Sequence, residues 1–183
     1  KQIRHLERAV SGYFDYIELF VPPHTYDDFH KQISNEFKGL KVIIHAPHSV
    51  FGVDTGNREM FSQNQEKLKA SRQYADLLGA EIIILHAGFN EGEQYVDESA
   101  RQFKNFNESR LVVENLPFLC SSTQKILHAT SPLEIKKIMD ISGCGFCLDF
   151  SHAICASNYY QRDKFEDLRA YQSLNPKMYH MCD

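Results

Sequence analysis

The chain has 183 residues, 43% of them hydrophobic and 24% charged, with a formal net charge of −4. Such a composition suits one globular domain with a sizeable core, and its charge gives no general attraction to nucleic acid or to an anionic membrane. No run of roughly 18 apolar residues is present, so no membrane-spanning helix is expected, and the N-terminal Lys1-Gln2-Ile3-Arg4-His5 lacks the apolar stretch of a signal peptide.

Six short apolar runs punctuate the chain. The first covers residues 15–20 (DYIELF) and leads into a helical pattern over 25–37, where Phe29, Ile33 and Phe37 recur at a spacing of four. The second, 41–45, ends in His45. A helix is expected over 66–78, with Leu68, Tyr74, Ala75 and Leu78 on one side and Gly79 as its stop. The third run, 81–86, ends in His86, and the fourth, 110–114, ends in Glu114. Ser131, Pro132 and Glu134 read as an N-cap, a first-turn proline and a capping-box acid for a helix through Met139 that Gly143 terminates. The fifth run, 145–149, ends in Asp149, and the sixth, 177–180, ends in His180.

Short runs rich in β-branched residues, separated by helical segments, indicate parallel strands buried on both faces and an α/β fold. An open doubly wound sheet and a closed (β/α)8 TIM barrel both meet that description. The strand ends favour the barrel. Residues two apart share a strand face, which pairs Ile43 with His45, Ile84 with His86, Val112 with Glu114, Cys147 with Asp149, and Met178 with His180. Each pair puts an apolar residue below a potential metal ligand. A barrel gathers such ligands in its C-terminal mouth, whereas an open sheet spreads them along a line. Asp149 and His152 form a D-x-x-H in which the aspartate ends the strand and the histidine is expected to start the loop above it. Six titratable residues at strand ends would be costly to bury unless a cation or a substrate used them. Imidazole and carboxylate ligation suits Zn²⁺, with Mn²⁺, Fe²⁺, Co²⁺ or Mg²⁺ as alternatives.

The five cysteines, Cys120, Cys144, Cys147, Cys155 and Cys182, are odd in number and irregularly spaced. That argues against a disulfide framework and for a reducing, cytoplasmic compartment. Cys144 and Cys147 form a C-x-x-C without the second pair that a structural zinc site needs, so Cys147 reads as a small apolar residue in a strand. His5, His24, His30 and His128 match no motif and read as ordinary surface or helix residues.

Several short segments resemble, in order and spacing, the xylose isomerase-like TIM barrels, the superfamily that includes endonuclease IV and the sugar-phosphate isomerases and epimerases. They are His45-Ala46-Pro47, His86-Ala87-Gly88, Val113-Glu114-Asn115, Leu148-Asp149-Phe150-Ser151-His152-Ala153 and His180-Met181-Cys182-Asp183. The resemblance implies a single partial barrel domain over 1–183, with the first and eighth strands outside the chain. It implies one to three ions: His45 and His86 on an outer metal, Glu114 bridging, Asp149 and His180 on an inner site, and His152 on a third. Asn115 is expected to bind substrate, Asp183 resembles a supporting or substrate-contacting residue, and His48 occupies a place where related proteins touch substrate, or is an additional weak ligand. Residues 12–19, through Ile17-Glu18-Leu19, resemble the start of the isomerase branch and would point Glu18 into the mouth.

Three activities follow from the resemblance. The first is a metal-dependent sugar or sugar-phosphate isomerase or epimerase working through an enediolate, with Glu114, Asp149 and Glu18 as candidate catalytic carboxylates. The second is an endonuclease IV-like, zinc-dependent hydrolase of abasic DNA, which the several histidines favour. The third is a barrel that binds metal or ligand without turnover. An acidic rim with Glu91, Glu93, Asp97, Glu98, Asp27 and Asp28 weighs against DNA. The segment 115–120 is apolar and uncharged, and the aromatics Phe51, Phe89, Phe118, Tyr159 and Tyr160 could line a small pocket, stack on a sugar or merely cap the barrel. Oligomeric state is left open.

Overall fold

Alternation of apolar runs with helical segments produces a six-stranded, all-parallel sheet in sequential order β1 to β6. The computed structural model describes residues 14–91 and 94–181. The strands are β1 (Ile17–Phe20), β2 (Val42–His45), β3 (Ile83–His86), β4 (Leu111–Glu114), β5 (Gly145–Asp149) and β6 (Met178–His180). The helices are α1 (Tyr26–Glu36), α2 (Phe61–Leu78), α3 (Tyr95–Asn105), α4 (Pro132–Ser142), α5 (Phe150–Tyr159) and α6 (Lys164–Gln172), with short 3-10 turns at Ser49–Phe51 and Arg58–Met60. The sheet curls into an incomplete (β/α)8 barrel, and the side chains of Glu18 on β1 and His180 on β6 meet at 2.8 Å.

Each strand ends where the sequence pattern ends it; the starts differ by no more than about two residues. The two faces of the sheet are both covered. The outward face packs Ile44, Ile83, Leu85, Leu111, Val113, Phe146 and Leu148 against the helices. The inward face carries a separate apolar layer of Ile84, Val112, Cys147 and Met178, with Ile43 partly buried against it. These are the lower partners expected beneath the strand-end ligands, and the alternation of strand side chains produces them.

Helix α4 forms as expected: Ser131 Oγ accepts from the Glu134 amide at 3.3 Å, and Gly143 closes it with a left-handed φ of 76°. The Glu134 carboxylate reaches the Thr130 amide at 2.8 Å, one residue earlier than a capping box requires. Two segments depart from expectation. His152 does not start a loop; α5 begins immediately after β5, because the Asp149 carboxylate accepts from the His152 amide at 2.7 Å and caps the helix itself. Asp97 and Glu98 lie not in a loop but on the first turn of α3, where negative charge favours the helix dipole.

Candidate metal centre

Glu114, at the end of β4, is 1% exposed. Its carboxylate is ringed by imidazoles delivered by β2, β3, β6 and the first turn of α5. Oε2 lies 3.4 Å from His45 Nε2 and 3.2 Å from His86 Nε2, while Oε1 lies 3.3 Å from His152 Nδ1 and 3.3 Å from His180 Nδ1. Charge-assisted N–H···O bonds are shorter, about 2.7–2.9 Å. Two donors on one tetrahedral ion, each with a bond of about 2.0–2.1 Å, lie about 3.3–3.4 Å apart. For His45, His86 and His180 the observed spacing is therefore that of neighbouring ligands, whereas the His152 nitrogen at this distance is the one that bonds the Asn115 carbonyl. Among the described residues, three donor groups cluster within 4.8 Å: His45, His86 and Glu114; Glu114, Asp149 and His152; and Glu114, Cys147 and His180. Glu114 belongs to all three.

Hydrogen bonds behind the rings fix which nitrogen faces inward. His45 Nδ1 donates to the Ala46 carbonyl at 3.0 Å, which leaves the Nε2 lone pair facing Glu114. His180 Nε2 donates to Glu18 at 2.8 Å, which leaves Nδ1 facing Glu114 from the other side. His152 Nδ1 donates to the Asn115 carbonyl at 3.0 Å, so its lone pair sits on Nε2. A carboxylate or carbonyl behind a histidine is the usual means of orienting a metal ligand.

The electrostatics are those of one buried anion in a cage of bases. Burial opposes the charge on Glu114, yet His86, His152, His180 and His45 together hold its carboxyl well below its ordinary value. Burial opposes protonation of His45 and His152 too, but Glu114 outweighs it and raises both. His180 is raised further, against burial, by Cys147, Glu114 and Glu18. His86 is lowered by its burial. Cys147 is pushed by burial up to about 11. Four imidazoles meet at the buried Glu114 carboxylate, with Asp149 3.7 Å from His152 and Glu18 2.8 Å from His180, and a divalent cation would use the lone pairs turned inward. The donor set fits Zn²⁺, Mn²⁺, Fe²⁺ or Co²⁺.

The structure brings His45, His86, Glu114, Asp149, His152 and His180 together, and groups His152 with Asp149 rather than with His45 and His86. Glu18 joins them behind His180. Asn115, expected to touch substrate, is instead fully buried: its Nδ2 donates to the Asp149 carbonyl at 2.9 Å and its Oδ1 accepts from the Asp149 amide at 2.8 Å. It ties the end of β4 to the end of β5. His48 lies at the mouth among Phe20, Phe51 and His86, with ring centroids 5.3–5.6 Å away. Burial, then His86 and His45, lower its pKa to about 4, so it stands neutral. Asp183 lies outside the described residues.

Two expectations need correction. His128 is no surface residue; it is wholly buried, with Nδ1 donating to the Phe89 carbonyl at 3.0 Å and Nε2 accepting from Ser99 Oγ at 2.6 Å. Ser99 in turn meets Thr55 Oγ1 at 2.7 Å, and Thr55 donates to the Ala87 carbonyl at 2.6 Å. This chain joins the segments after β2, β3 and β4 beneath the mouth. The rim is also less acidic than its sequence reads. Glu91 pairs with Lys125 at 2.9 Å, Asp97 with Lys137 at 2.7 Å, and Glu98 with Arg101. Glu93 lies outside the described residues.

A sequence profile described as xylose isomerase-like TIM barrel matches residues 6–183. No curated protein sequence matches the chain significantly. Among solved structures it is similar to D-allulose 3-epimerase from Methylomonas sp. in complex with D-allulose, at 12% identity over 99% of this chain and 65% of that one, with a TM-score of 0.72. It is similar to endonuclease IV from Thermus thermophilus, at 20% identity over 94% of this chain and 66% of that one, with a TM-score of 0.61. It is also similar to the TTHB071 protein of the same organism, soaked with ZnCl2, at 17% identity over 99% of this chain and 75% of that one, with a TM-score of 0.63. The chain thus spans about two thirds of the length of two of these neighbours and three quarters of the third.

Proposed function

This chain belongs to the xylose isomerase-like TIM barrel family, and on that premise we propose that it is a divalent-metal-dependent hydrolase of phosphodiesters, of the endonuclease IV type. One observation supports the reading: Glu114 turns one oxygen to His45 Nε2 and His86 Nε2 and the other to His180 Nδ1 at ligand spacing, with Asp149 and His152 grouped beside it. Isomerisation needs one ion beside the substrate's oxygens. A carboxylate set between two donor groups suits a centre of more than one ion. Such a centre, when bound, supplies a hydroxide nucleophile at neutral pH and a clamp on the phosphoryl oxygens.

The chain's own residues divide the work. Around Glu114, His45 and His86 form one group, Asp149 and His152 a second, and His180 with Cys147 a third. The Ala46 carbonyl and Glu18 hold two of the rings in the ligating tautomer. Asn115 holds the Asp149 backbone in place. His48, neutral at the mouth, offers a hydrogen bond and a ring face to the substrate.

Sequence alone weighs the acidic rim against DNA. The pairing of Glu91, Asp97 and Glu98 with Lys125, Lys137 and Arg101 offsets three of those six acids. A second reading, a sugar or sugar-phosphate isomerase or epimerase, is favoured by the uncharged floor after Glu114, where Leu116 and Phe118 are buried. In that reading Glu114 or Asp149 moves a proton next to a carbonyl, with Glu18 opposite.

The test uses the protein loaded with Zn²⁺ or Mn²⁺ and a duplex oligonucleotide with one abasic site. Metal-dependent incision, lost in Glu114→Gln and on chelation, is the expected result. No incision, together with solvent-proton exchange beside the carbonyl of a ketose followed by NMR, would select the second reading.

A further inference from the structure

We propose that Cys147 is a thiolate ligand of the ion on the Oε1 side of Glu114, and that this centre is therefore built for a thiophilic ion such as Zn²⁺ or Co²⁺ rather than Mg²⁺ or Mn²⁺. The proposal rests on the metal reading above and adds a donor that the strand-end pattern does not contain.

Sheet register supplies the geometry. Glu114 on β4 is the Cα partner of His86 on one side and of Cys147 on the other. The thiol thus occupies the same inward row as Glu114, one step below Asp149 and His180, which pair with each other. Sγ, a Glu114 carboxylate oxygen and a His180 ring nitrogen all lie within 4.8 Å of one another. Donors on one tetrahedral ion, with bonds of about 2.0–2.3 Å, lie about 3.3–3.6 Å apart. Ligation then needs side-chain adjustments of up to about an ångström.

Packing alone explains less. Cys147 does sit in the apolar layer with Ile84, Val112 and Met178. Those three neighbours turn only hydrocarbon or a thioether to the interior, and a valine would fill the place of Cys147 equally well. The thiol instead lies within 4.8 Å of a ring nitrogen of His180, the residue that Glu18 holds from behind. A soft donor beside imidazole and carboxylate shifts preference toward zinc and cobalt and away from the harder ions. Coordination would break the S–H bond, form the S–metal bond and release the proton to solvent.

Cobalt reports the ligand directly. Full-length protein is stripped with chelator and titrated with Co²⁺ alone. The wild type should show visible d–d bands and an intense near-ultraviolet sulfur-to-cobalt charge-transfer band. Cys147→Ser and Cys147→Ala should keep the visible bands, lose the charge-transfer band, and lose preference for Zn²⁺ over Mn²⁺ by at least about tenfold. Unchanged thermal melting of the stripped variants excludes misfolding. Cobalt binding by the wild type without the charge-transfer band overturns the proposal and leaves the metal site standing. Survival of the band in both variants overturns it as well, since another thiol then supplies it. Failure of the wild type to bind Co²⁺ or Zn²⁺ at all overturns both readings.

Discussion

Replacing His128 by Gln should flatten the acid limb of the stability curve. His128 is fully buried, and burial, only partly offset by the Phe89 and Gly88 carbonyls, lowers its pKa from 6.5 to about 4. In the unfolded chain the imidazole titrates near 6.5. The gap is about two and a half pH units, and at about 1.4 kcal/mol each it is worth about 3 kcal/mol. A depressed histidine acts in one direction. As pH falls through 6.5 the unfolded state takes up the proton and the folded state does not, so stability is lost until about pH 4, where both are protonated. The variant lacks this loss. At pH 7.5 it should be the less stable protein by about 1–3 kcal/mol, for the hydrogen bonds to Phe89 and Ser99. The two curves should converge toward pH 4. Urea unfolding in excess chelator, from pH 7.5 to 4, measures the difference and cancels every other titrating group. Parallel wild-type and His128→Gln curves would refute the reasoning, because His128 would then be protonating without unfolding.

Other perturbations bear on the centre itself. Glu114→Gln should lower Zn²⁺ affinity by at least about 100-fold, read as zinc retained after gel filtration, because Glu114 belongs to every donor group. Asn115→Ala should cost about 2–4 kcal/mol in urea unfolding and reduce metal retention, since both of its bonds to the Asp149 backbone are lost. Gly88→Ala should cost about 2–4 kcal/mol and loosen His86, because a Cβ at φ 139° would meet the Asp54 Cα at 2.9 Å as well as its carboxylate; an unchanged melting temperature would refute this.

Much of the barrel is legible in the sequence because burial on both sheet faces forces short, apolar, period-two strands, and a strand-end donor breaks that pattern in β2 to β6. Helix α3 is hidden for the opposite reason. Its inner face mixes Ala100 and Phe103 with Ser99 and Gln102, which hydrogen-bond to Thr55, His128 and Asn64 rather than pack as hydrocarbon. The start of α5 escapes a sequence reading because the strand runs into the helix without a turn residue, its own last side chain serving as the cap. His128 gives no local sign. It lies in an irregular segment, and its partners are 29 and 39 positions away. Cys147 is legible as a packing residue, but only the pairing register places its sulfur level with Glu114.

The contact between Glu18 and His180 spans 162 positions of sequence. It joins the first described strand to the last, and between them every strand contributes a donor or its support. Loop closure over such a distance is among the last events of folding. On the proposed metal reading the donors are complete only once all six strands are paired, so chelation should hasten unfolding of the entire sheet rather than fray one edge.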